Sequence, residues 1–321
     1  MTNLIVKRGD STLSSVPNHW MDLPRFLDWK DLSSILPLDL ATSLSAWAND
    51  IEYQDASDYD NWAGNQFVQE LSTHAADGLQ TLGISREEKV LDFATGTGAI
   101  RLSLVKGGFT AAYGLDQSES CLRRQADLQR LMGFPLIEGQ LVSDLGHEHD
   151  GSFSAIYMSS GLHHIPDFRG TLSSLLRLLK LGGKLIIADQ TNMRRFNALS
   201  LVETTIDIHD MISRMQSGSR EKTHSTMLLA EFHAGNGFSR EMIEPLLKEH
   251  NMTIEKWDVY MWLSYFANNY ARSYIGTDPA VLSAFAKHYE NMVAADAFIK
   301  SVAPVFAAQN FFNFIMVAQK S

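Results

Sequence analysis

One stretch of nine residues constrains the fold of this chain more than any other. Val90 to Gly98 reads Val-Leu-Asp-Phe-Ala-Thr-Gly-Thr-Gly, an apolar run that contains one carboxylate and ends in a glycine-rich turn. Glycine lets a backbone turn tightly and lie against a ligand where a Cβ atom would collide. The stretch therefore predicts a buried strand whose carboxyl end wraps around a nucleotide-like molecule.

The residues after the turn separate two classes of ligand, dinucleotides and S-adenosylmethionine. The dinucleotide fingerprint places a third Gly or Ala where the helix presses on the strand and its N-terminus faces a pyrophosphate. Arg101 occupies that position. S-adenosylmethionine carries no phosphate, and its ammonium, sulfonium and ribose groups favour a carboxylate such as Asp92. We therefore expect S-adenosylmethionine, and a nicotinamide-dependent oxidoreductase is the disfavoured alternative.

Four segments in order along the chain then carry a resemblance to a known family. Asp92 to Gly98 fits the first motif of the class I S-adenosylmethionine-dependent methyltransferases: acid, any, small, small, Gly, any, Gly. Asp116 follows a second predicted strand, where the resemblance implies an acid that holds both ribose hydroxyls. Leu162 to Asp167, Leu-His-His-Ile-Pro-Asp, resembles the fourth-strand motif, and Leu179 to Asp189 resembles the turn and fifth strand.

The resemblance implies an α/β fold with a Rossmann-like seven-stranded sheet, an antiparallel last strand and helices on both faces. Residues 1–56 are expected to form an N-terminal cap and residues 57–321 the methyltransferase domain. Helical insertions are expected after strands five and six, at about 190–238 and 263–308. Because ligands bind at the carboxyl ends of open α/β sheets, we expect these insertions to cover the substrate.

Within the second insertion, the spacing of apolar residues predicts two helices. They would run from Pro279 to Met292 and from Ala295 to Phe306.

The cofactor-binding residues are assigned through the same resemblance. The candidates are Tyr59, Trp62, Asp92, Ala94, Thr95, Gly96, Gly98, Asp116, Gln117, Gln140, Leu141 and Ser159. Tyr59 and Trp62 lie in a stretch that the family often carries near the open side of the cofactor, and core packing of Trp62 is an equal alternative. Gln140 departs from the family pattern, which usually has an acid that accepts from the adenine amino group. Its amide oxygen offers an alternative acceptor, as does Asp144.

The catalytic candidates are His163 and His164, directly after the fourth predicted strand. Plant small-molecule O-methyltransferases have a general-base histidine there, and an imidazole with a pKa near ~6.5 is able to take a proton from the acceptor. Two alternatives stand beside this role: structural packing of at least one ring, and methyl transfer driven mainly by proximity. Neither pattern nor spacing decides among them.

Composition limits the choice of partners. The chain has 321 residues, 45% of them hydrophobic, and a net charge of −10, which opposes a nucleic-acid substrate because phosphates require a positive surface. No run of residues approaches the ~20 apolar residues of a membrane span. His147 to Asp150 are expected to form an exposed polar loop, and no metal is expected. A small-molecule acceptor, a cytoplasmic location and a monomer or homodimer follow as expectations.

The function expected is therefore methyl transfer from S-adenosylmethionine to the O, N or C of a small metabolite. The alternative is a non-catalytic or regulatory cofactor-binding module whose insertions contact partners.

Overall fold

The fold is seen in a computed structural model of the chain. The structure describes residues 38–52, 66–133, 140–141, 149–165, 167–191, 208–223, 226, 238–260, 263–264, 279–311 and 313–321. Two candidate cofactor residues, Tyr59 and Trp62, lie outside the described residues, as do Asp144 and the loop at 147–148.

A mixed β-sheet forms the centre of the molecule. Its strands are β1 (Val90–Phe93), β2 (Ala112–Asp116), β3 (Gln140–Leu141), β4 (Phe153–Ser159), β5 (Leu179–Gln190), β6 (Met252–Tyr260) and β7 (Asn313–Lys320). They pair in the order β3-β2-β1-β4-β5-β7-β6, and β7 is antiparallel to both of its neighbours. Since β3 has only two residues, the other six strands make up the body of the sheet. The prediction of an α/β, Rossmann-like fold with a mixed sheet is confirmed.

Helices cover both faces of this sheet. They are α1 (Leu38–Glu52), α2 (Gln66–Thr81), α3 (Ala99–Lys106), α4 (Glu119–Leu131), α5 (Phe168–Leu178), α6 (Ile208–Gln216), α7 (Arg240–Glu249), α8 (Pro279–Val302) and α9 (Pro304–Asn310). A short 3-10 turn, Leu162–His164, follows β4. Among the helices of these described ranges, none is long and apolar enough to cross a membrane.

Two hydrophobic cores lie on opposite faces of the sheet. On the first face, Val90 and Ile186 pack with residues of α2 and α3. On the second face, Leu91 and Ile187 pack with residues of α5 and α7. All four residues of β1 are buried, which explains why this strand reads as a nearly continuous apolar run: a central parallel strand is covered on both sides.

The second predicted insertion differs from the expectation in its helix boundaries. A single helix, α8, continues through residues 293–294 to Val302, and the break falls at Ala303, the N-cap of α9. Pro304 stands at the start of α9, because a proline fits the first turn of a helix but interrupts its interior. The sequence pattern thus predicted the helical structure correctly, but it placed the break between the two helices wrongly.

Candidate active site

The glycine-rich turn connects β1 to α3 and is fastened to the end of β2. The Thr95 amide donates to the Leu115 carbonyl at 3.0 Å, and the Gly98 amide donates back to the Thr95 carbonyl at 2.9 Å. Ala94, Gly96 and Gly98 all have positive φ angles, of 55°, 54° and 89°. Alanine rarely adopts this conformation, so the contacts of the turn hold Ala94 in a strained backbone region.

Asp116 closes the turn from the end of β2. Its Oδ2 accepts a 2.7 Å hydrogen bond from the Gly96 amide, and its Oδ1 accepts a 2.8 Å hydrogen bond from the Ser118 amide. Burial raises the pKa of this carboxyl group, and the donors at Ser118 and Gly96 oppose the rise. The carboxylate is therefore fixed in direction at the carboxyl edge of the sheet, with 9% of the residue exposed.

Asp92 lies beneath the turn and is 2% exposed. Its Oδ2 accepts from the Thr95 hydroxyl at 2.6 Å and from the Arg101 amide at 3.1 Å. Burial raises the pKa of Asp92 to about 7, although the hydrogen bonds from Thr95 and Arg101 favour its charged form. These contacts join the end of β1 to both the turn and the first turn of α3.

Arg101 is completely buried, an arrangement that the sequence analysis did not predict. Its Nε donates to the Ala112 carbonyl at 2.9 Å, and its Nη1 donates to Oε1 of Gln125. The Nε2 of Gln125 donates in turn to the Thr95 hydroxyl at 2.9 Å, which itself donates to Asp92. Burial lowers the pKa of Arg101 to about 10, against the attraction of Asp92. We call these four side chains, Asp92, Thr95, Arg101 and Gln125, the subturn network.

Two glycines leave the space that the subturn network fills. A Cβ atom on Gly98 would lie 2.3 Å from Nε2 of Gln125. A Cβ atom on Gly114 would lie 3.1 Å from side-chain atoms of Arg101, Gln125 and Thr95. The available sequence signal was an arginine within the apolar start of α3, next to a glycine-rich turn. In the sequence, Arg101 was informative only because it excludes the third glycine of a dinucleotide site.

A second loop, after β4, touches the glycine-rich turn. A Cβ atom on Gly161 would lie only 2.5 Å from the Cβ of Ala94, so the two loops are in close contact there. The Ser160 amide donates to the Ala188 carbonyl at 2.7 Å, and the Leu162 amide donates to Oδ2 of Asp189 at 2.8 Å. The loop is thus anchored to the end of β5 while it contacts the end of β1.

His163 pairs with Asp189 inside this second loop. Its Nδ1 lies 2.6 Å from Oδ1 of Asp189, and the residue is 4% exposed. Burial would raise the pKa of Asp189, but the charge and hydrogen bond of His163 outweigh it and the pKa is lowered. An ionised Asp189 only accepts hydrogen bonds, so Nδ1 of His163 carries the proton between them. The half-buried ring of His164 lies beside it, with ring centroids 4.0 Å apart.

Four further candidates lie at the ends of β2, β3 and β4. The Oγ of Ser159 is buried at the end of β4 and has no hydrogen-bond partner among the described residues. Gln117 is exposed next to Asp116. Gln140 and Leu141 form β3, whose backbone pairs with Leu115 and Asp116, so β3 ends beside the fixed carboxylate.

A comparison with protein families matches part of this chain to a known domain. Residues 67–256, more than half of the chain, match the model of a methyltransferase domain family. The chain belongs to this family. The match includes the glycine-rich turn, Asp116 and the His163–Asp189 pair of the methyltransferase domain.

Individual relatives share only part of their length with this methyltransferase chain. A demethylmenaquinone methyltransferase of Tropheryma whipplei (strain Twist) is 34% identical over 132 residues, covering 41% of this chain and 54% of that protein. A cycloartenol-C-24-methyltransferase of Arabidopsis thaliana is 26% identical over 148 residues, covering 45% and 43%. The chain spans about half the length of the curated relatives it matches.

A comparison with solved structures gives similar values for several methyltransferases. A geranyl diphosphate C-methyltransferase of Streptomyces coelicolor A3(2) aligns with a TM-score of 0.47 and 14% identity, covering 78% of this chain and 77% of that one.

The contact between the two loops generates a first prediction. Gly161→Ala should lower the free energy of unfolding by about 1–3 kcal/mol, because its methyl group would overlap Ala94. Ala94→Gly in the same chain removes the overlap and the strained φ, and should restore most of the loss. Urea unfolding of the two single variants and the double variant measures the coupling. Gly78→Ala, where an added Cβ meets no atom within 4 Å, is the control. Additive effects of the two substitutions would contradict the contact.

The burial of Asp92 generates a second prediction. Its pKa is raised from 3.8 to about 7 on folding, so its contribution to stability is complete below pH 3.8 and is lost as the pH rises through 7. Asp92→Asn has no group that titrates. From pH 4 to pH 8 the wild type should therefore lose stability relative to this variant, by on the order of a few kcal/mol at ~1.4 kcal/mol per pKa unit. Urea unfolding at both pH values, with the exposed Asp77→Asn as control, measures the difference. Parallel pH profiles of wild type and Asp92→Asn would refute it.

Proposed function

We propose that this chain transfers a methyl group from S-adenosylmethionine to the O, N or C of a small-molecule metabolite. The observation that carries the proposal is the orientation of Asp116 by two backbone amides at the carboxyl edge of the sheet, directly beside the glycine-rich turn. Membership of the methyltransferase family supports the reaction class. The names of the relatives, which refer to demethylmenaquinone and cycloartenol, support a small organic acceptor.

The residues at this edge fit the donor. An ionised carboxylate has about four acceptor positions, so Asp116 retains acceptor positions for two ribose hydroxyls after its two backbone contacts. The buried Oγ of Ser159 has no described hydrogen-bond partner, and a polar group of the donor would satisfy it. When bound, S-adenosylmethionine supplies an electrophilic methyl group on a sulfonium centre. We assign the ribose to Asp116 and the amino-acid portion to the side of Ala94, Gly96 and Ser159.

Asp92 acts on the donor through the turn in this proposal. Its Oδ2 already accepts two hydrogen bonds and the residue is buried, so its chief effect is to hold Thr95, Gly96 and Gly98 in place. The backbone of Gln140 and Leu141 lies beside Asp116, where the adenine would follow the ribose. Gln117 borders the same position, and Tyr59 and Trp62 stay proposed contacts on the open side of the cofactor.

We assign the role of general base to His163 in preference to His164. Asp189 accepts from Nδ1 of His163, and in that neutral tautomer we assign to Nε2 the role of taking a proton from the acceptor. The paired carboxylate also stabilises the imidazolium that this transfer creates. The Leu162 to Asp167 segment would thus represent the family's fourth-strand motif in a small-molecule enzyme.

We further propose that the two insertions and the N-terminal segment form one cover over the acceptor. The first insertion leaves the sheet at Thr191 and returns at Phe238, which form a parallel bridge at the end of β5. Helix α1 packs beside α6 of this insertion: Nε1 of Trp47 donates to the Ser219 carbonyl at 3.2 Å, and Arg220 pairs with Asp50 at 2.9 Å. These contacts support a cover built jointly by residues before the domain and residues inserted into it.

The binding of the donor is tested by Asp116→Ala. The affinity for S-adenosylhomocysteine should fall by roughly a hundred-fold, because two hydrogen bonds to a charged acceptor are lost, each worth about 1.5 kcal/mol or more. Titration calorimetry measures the affinity. Asp127→Ala, which removes an exposed carboxylate paired with Arg130, is the matched control and should bind normally. Unchanged affinity in Asp116→Ala would remove its assigned role.

The catalytic assignment is tested by His163→Ala. Turnover should slow by roughly 10²–10⁴-fold while the affinity for S-adenosylhomocysteine stays nearly constant, since the base acts on the acceptor. Transfer of labelled methyl from the donor to a metabolite extract measures turnover, and His164→Ala is the control. Unaltered turnover in His163→Ala would show that proximity suffices. Donor binding without labelled product from the wild type would favour the non-catalytic binding module.

A further inference from the structure

A cavity of about 620 Å³ lies on the first face of the sheet, between α2 and α8. Its volume falls within the roughly 300–1,000 Å³ of small-molecule sites. Its walls are mainly apolar and include Leu79 and Leu82 of α2, Ile186 of β5, Ile315 and Val317 of β7, and Phe311. The cavity therefore removes an apolar ligand from water on three sides, by helix, sheet and helix.

The two carboxylates in the cavity wall, Asp258 and Asp296, both have hydrogen-bond partners within the protein. Nζ of Lys300 donates to both carboxylate oxygens of Asp258 at 2.9 Å. Asp296 accepts from the amides of Leu263 and Ser264, at 2.8 and 3.1 Å, and from the Ser264 hydroxyl at 2.6 Å. Two further basic lining residues, Lys256 and His74, are exposed to solvent. Because the walls are mainly apolar and both carboxylates are already hydrogen-bonded within the protein, an uncharged ligand fits best.

Two tyrosines of the cavity wall lie near the carboxyl edge of the sheet, Tyr157 in β4 and Tyr260 at the end of β6. Tyr157 lines the cavity from β4, and in the sheet register Tyr157 lies opposite Asp92 on one side and Ile186 on the other. Ser159 follows two residues later, and its side chain points to the same face of the sheet. Tyr260, at the end of β6, also lines the cavity, and Asp189 contributes to raising the pKa of its hydroxyl after burial and Tyr157. One end of the cavity is thus next to the carboxyl edge where the donor is proposed to bind.

We propose that this cavity binds the uncharged hydrocarbon portion of a lipophilic methyl acceptor, an alkyl, polyprenyl or polycyclic group. The reacting end of the acceptor then lies at the carboxyl edge, beyond Tyr157 and toward Ser159. That the ligand is a methyl acceptor rests on the proposed function. The affinity of the cavity for apolar molecules is separate and is measured separately.

Gly78 offers a way to fill the cavity without disturbing the core. It lines the cavity from α2, on the same helical face as Ala75 and Leu82, and an added Cβ meets no atom within 4 Å. We expect Gly78→Phe to place an apolar ring at this exposed edge of the cavity, and Gly78→Ala is the matched control that adds one methyl group. Both replace a poor helix former. Ala297→Phe fills the cavity from α8, where the residue is exposed, and provides an independent second variant.

The probe is N-phenyl-1-naphthylamine, an uncharged apolar fluorophore. We expect wild type and Gly78→Ala to bind it equally, and Gly78→Phe and Ala297→Phe to bind it roughly ten-fold more weakly or worse. All four proteins should bind S-adenosylhomocysteine alike by calorimetry. Equal probe binding in wild type and both Phe variants, or no binding at all, would overturn the cavity as a lipophilic site. Failure of every protein to bind S-adenosylhomocysteine would instead overturn the proposed function.

The acceptor role has its own measurement. With labelled donor and an extract of apolar metabolites, label should enter the organic phase with wild type and Gly78→Ala, and fall roughly ten-fold with Gly78→Phe. Label that enters only water-soluble products, at equal rates in Gly78→Phe and Gly78→Ala, would refute the role of the cavity in acceptor binding.

Discussion

The site depends on the buried subturn network of Asp92, Thr95, Arg101 and Gln125. A turn with three positive φ angles, one of them at Ala94, is unfavourable by itself, and the network holds it from below. Arg101 also joins α3 to β2 through the Ala112 carbonyl. Because breaking a buried ion-containing network leaves unpaired groups, loss of any member should affect all of the elements that it connects.

The same turn is in contact with the loop that carries His163. Ala94 and Gly161 approach so closely that there is no room for a Cβ atom at Gly161, and Asp189 fixes the second loop by binding both the Leu162 amide and the His163 ring. Donor and acceptor chemistry would therefore be aligned by two rigid loops rather than by a single mobile segment. Such alignment is what transfer by proximity and orientation requires.

The sequence was sufficient for the features that arise from local patterns. Buried parallel strands need continuous apolar runs, so β1 and β4 could be predicted, and the family resemblance pointed to Asp116, the last residue of β2. Features made by distant residues were not predictable. Arg101 meets Gln125 across 24 residues, α1 meets the first insertion across about 170, and the cavity joins α2 to α8. Each of these contacts depends on how the whole chain packs, and a local sequence pattern contains no information about that packing.

Two buried carboxylates at one edge of the sheet show how partners decide chemical roles. Burial opposes the charge of both Asp92 and Asp189. Asp189 has an imidazole as partner, so its pKa is lowered and the charged form that orients the ring is favoured. The partners of Asp92 are the Thr95 hydroxyl and the Arg101 backbone amide, and the charge of Arg101 contributes less than either. Burial therefore raises the pKa of Asp92 to about 7. Environments that separate the pKa values of neighbouring acids also separate their functions. In the proposed function, Asp189 therefore acts on the acceptor side through His163, and Asp92 supports the turn by accepting from Thr95 and the Arg101 amide.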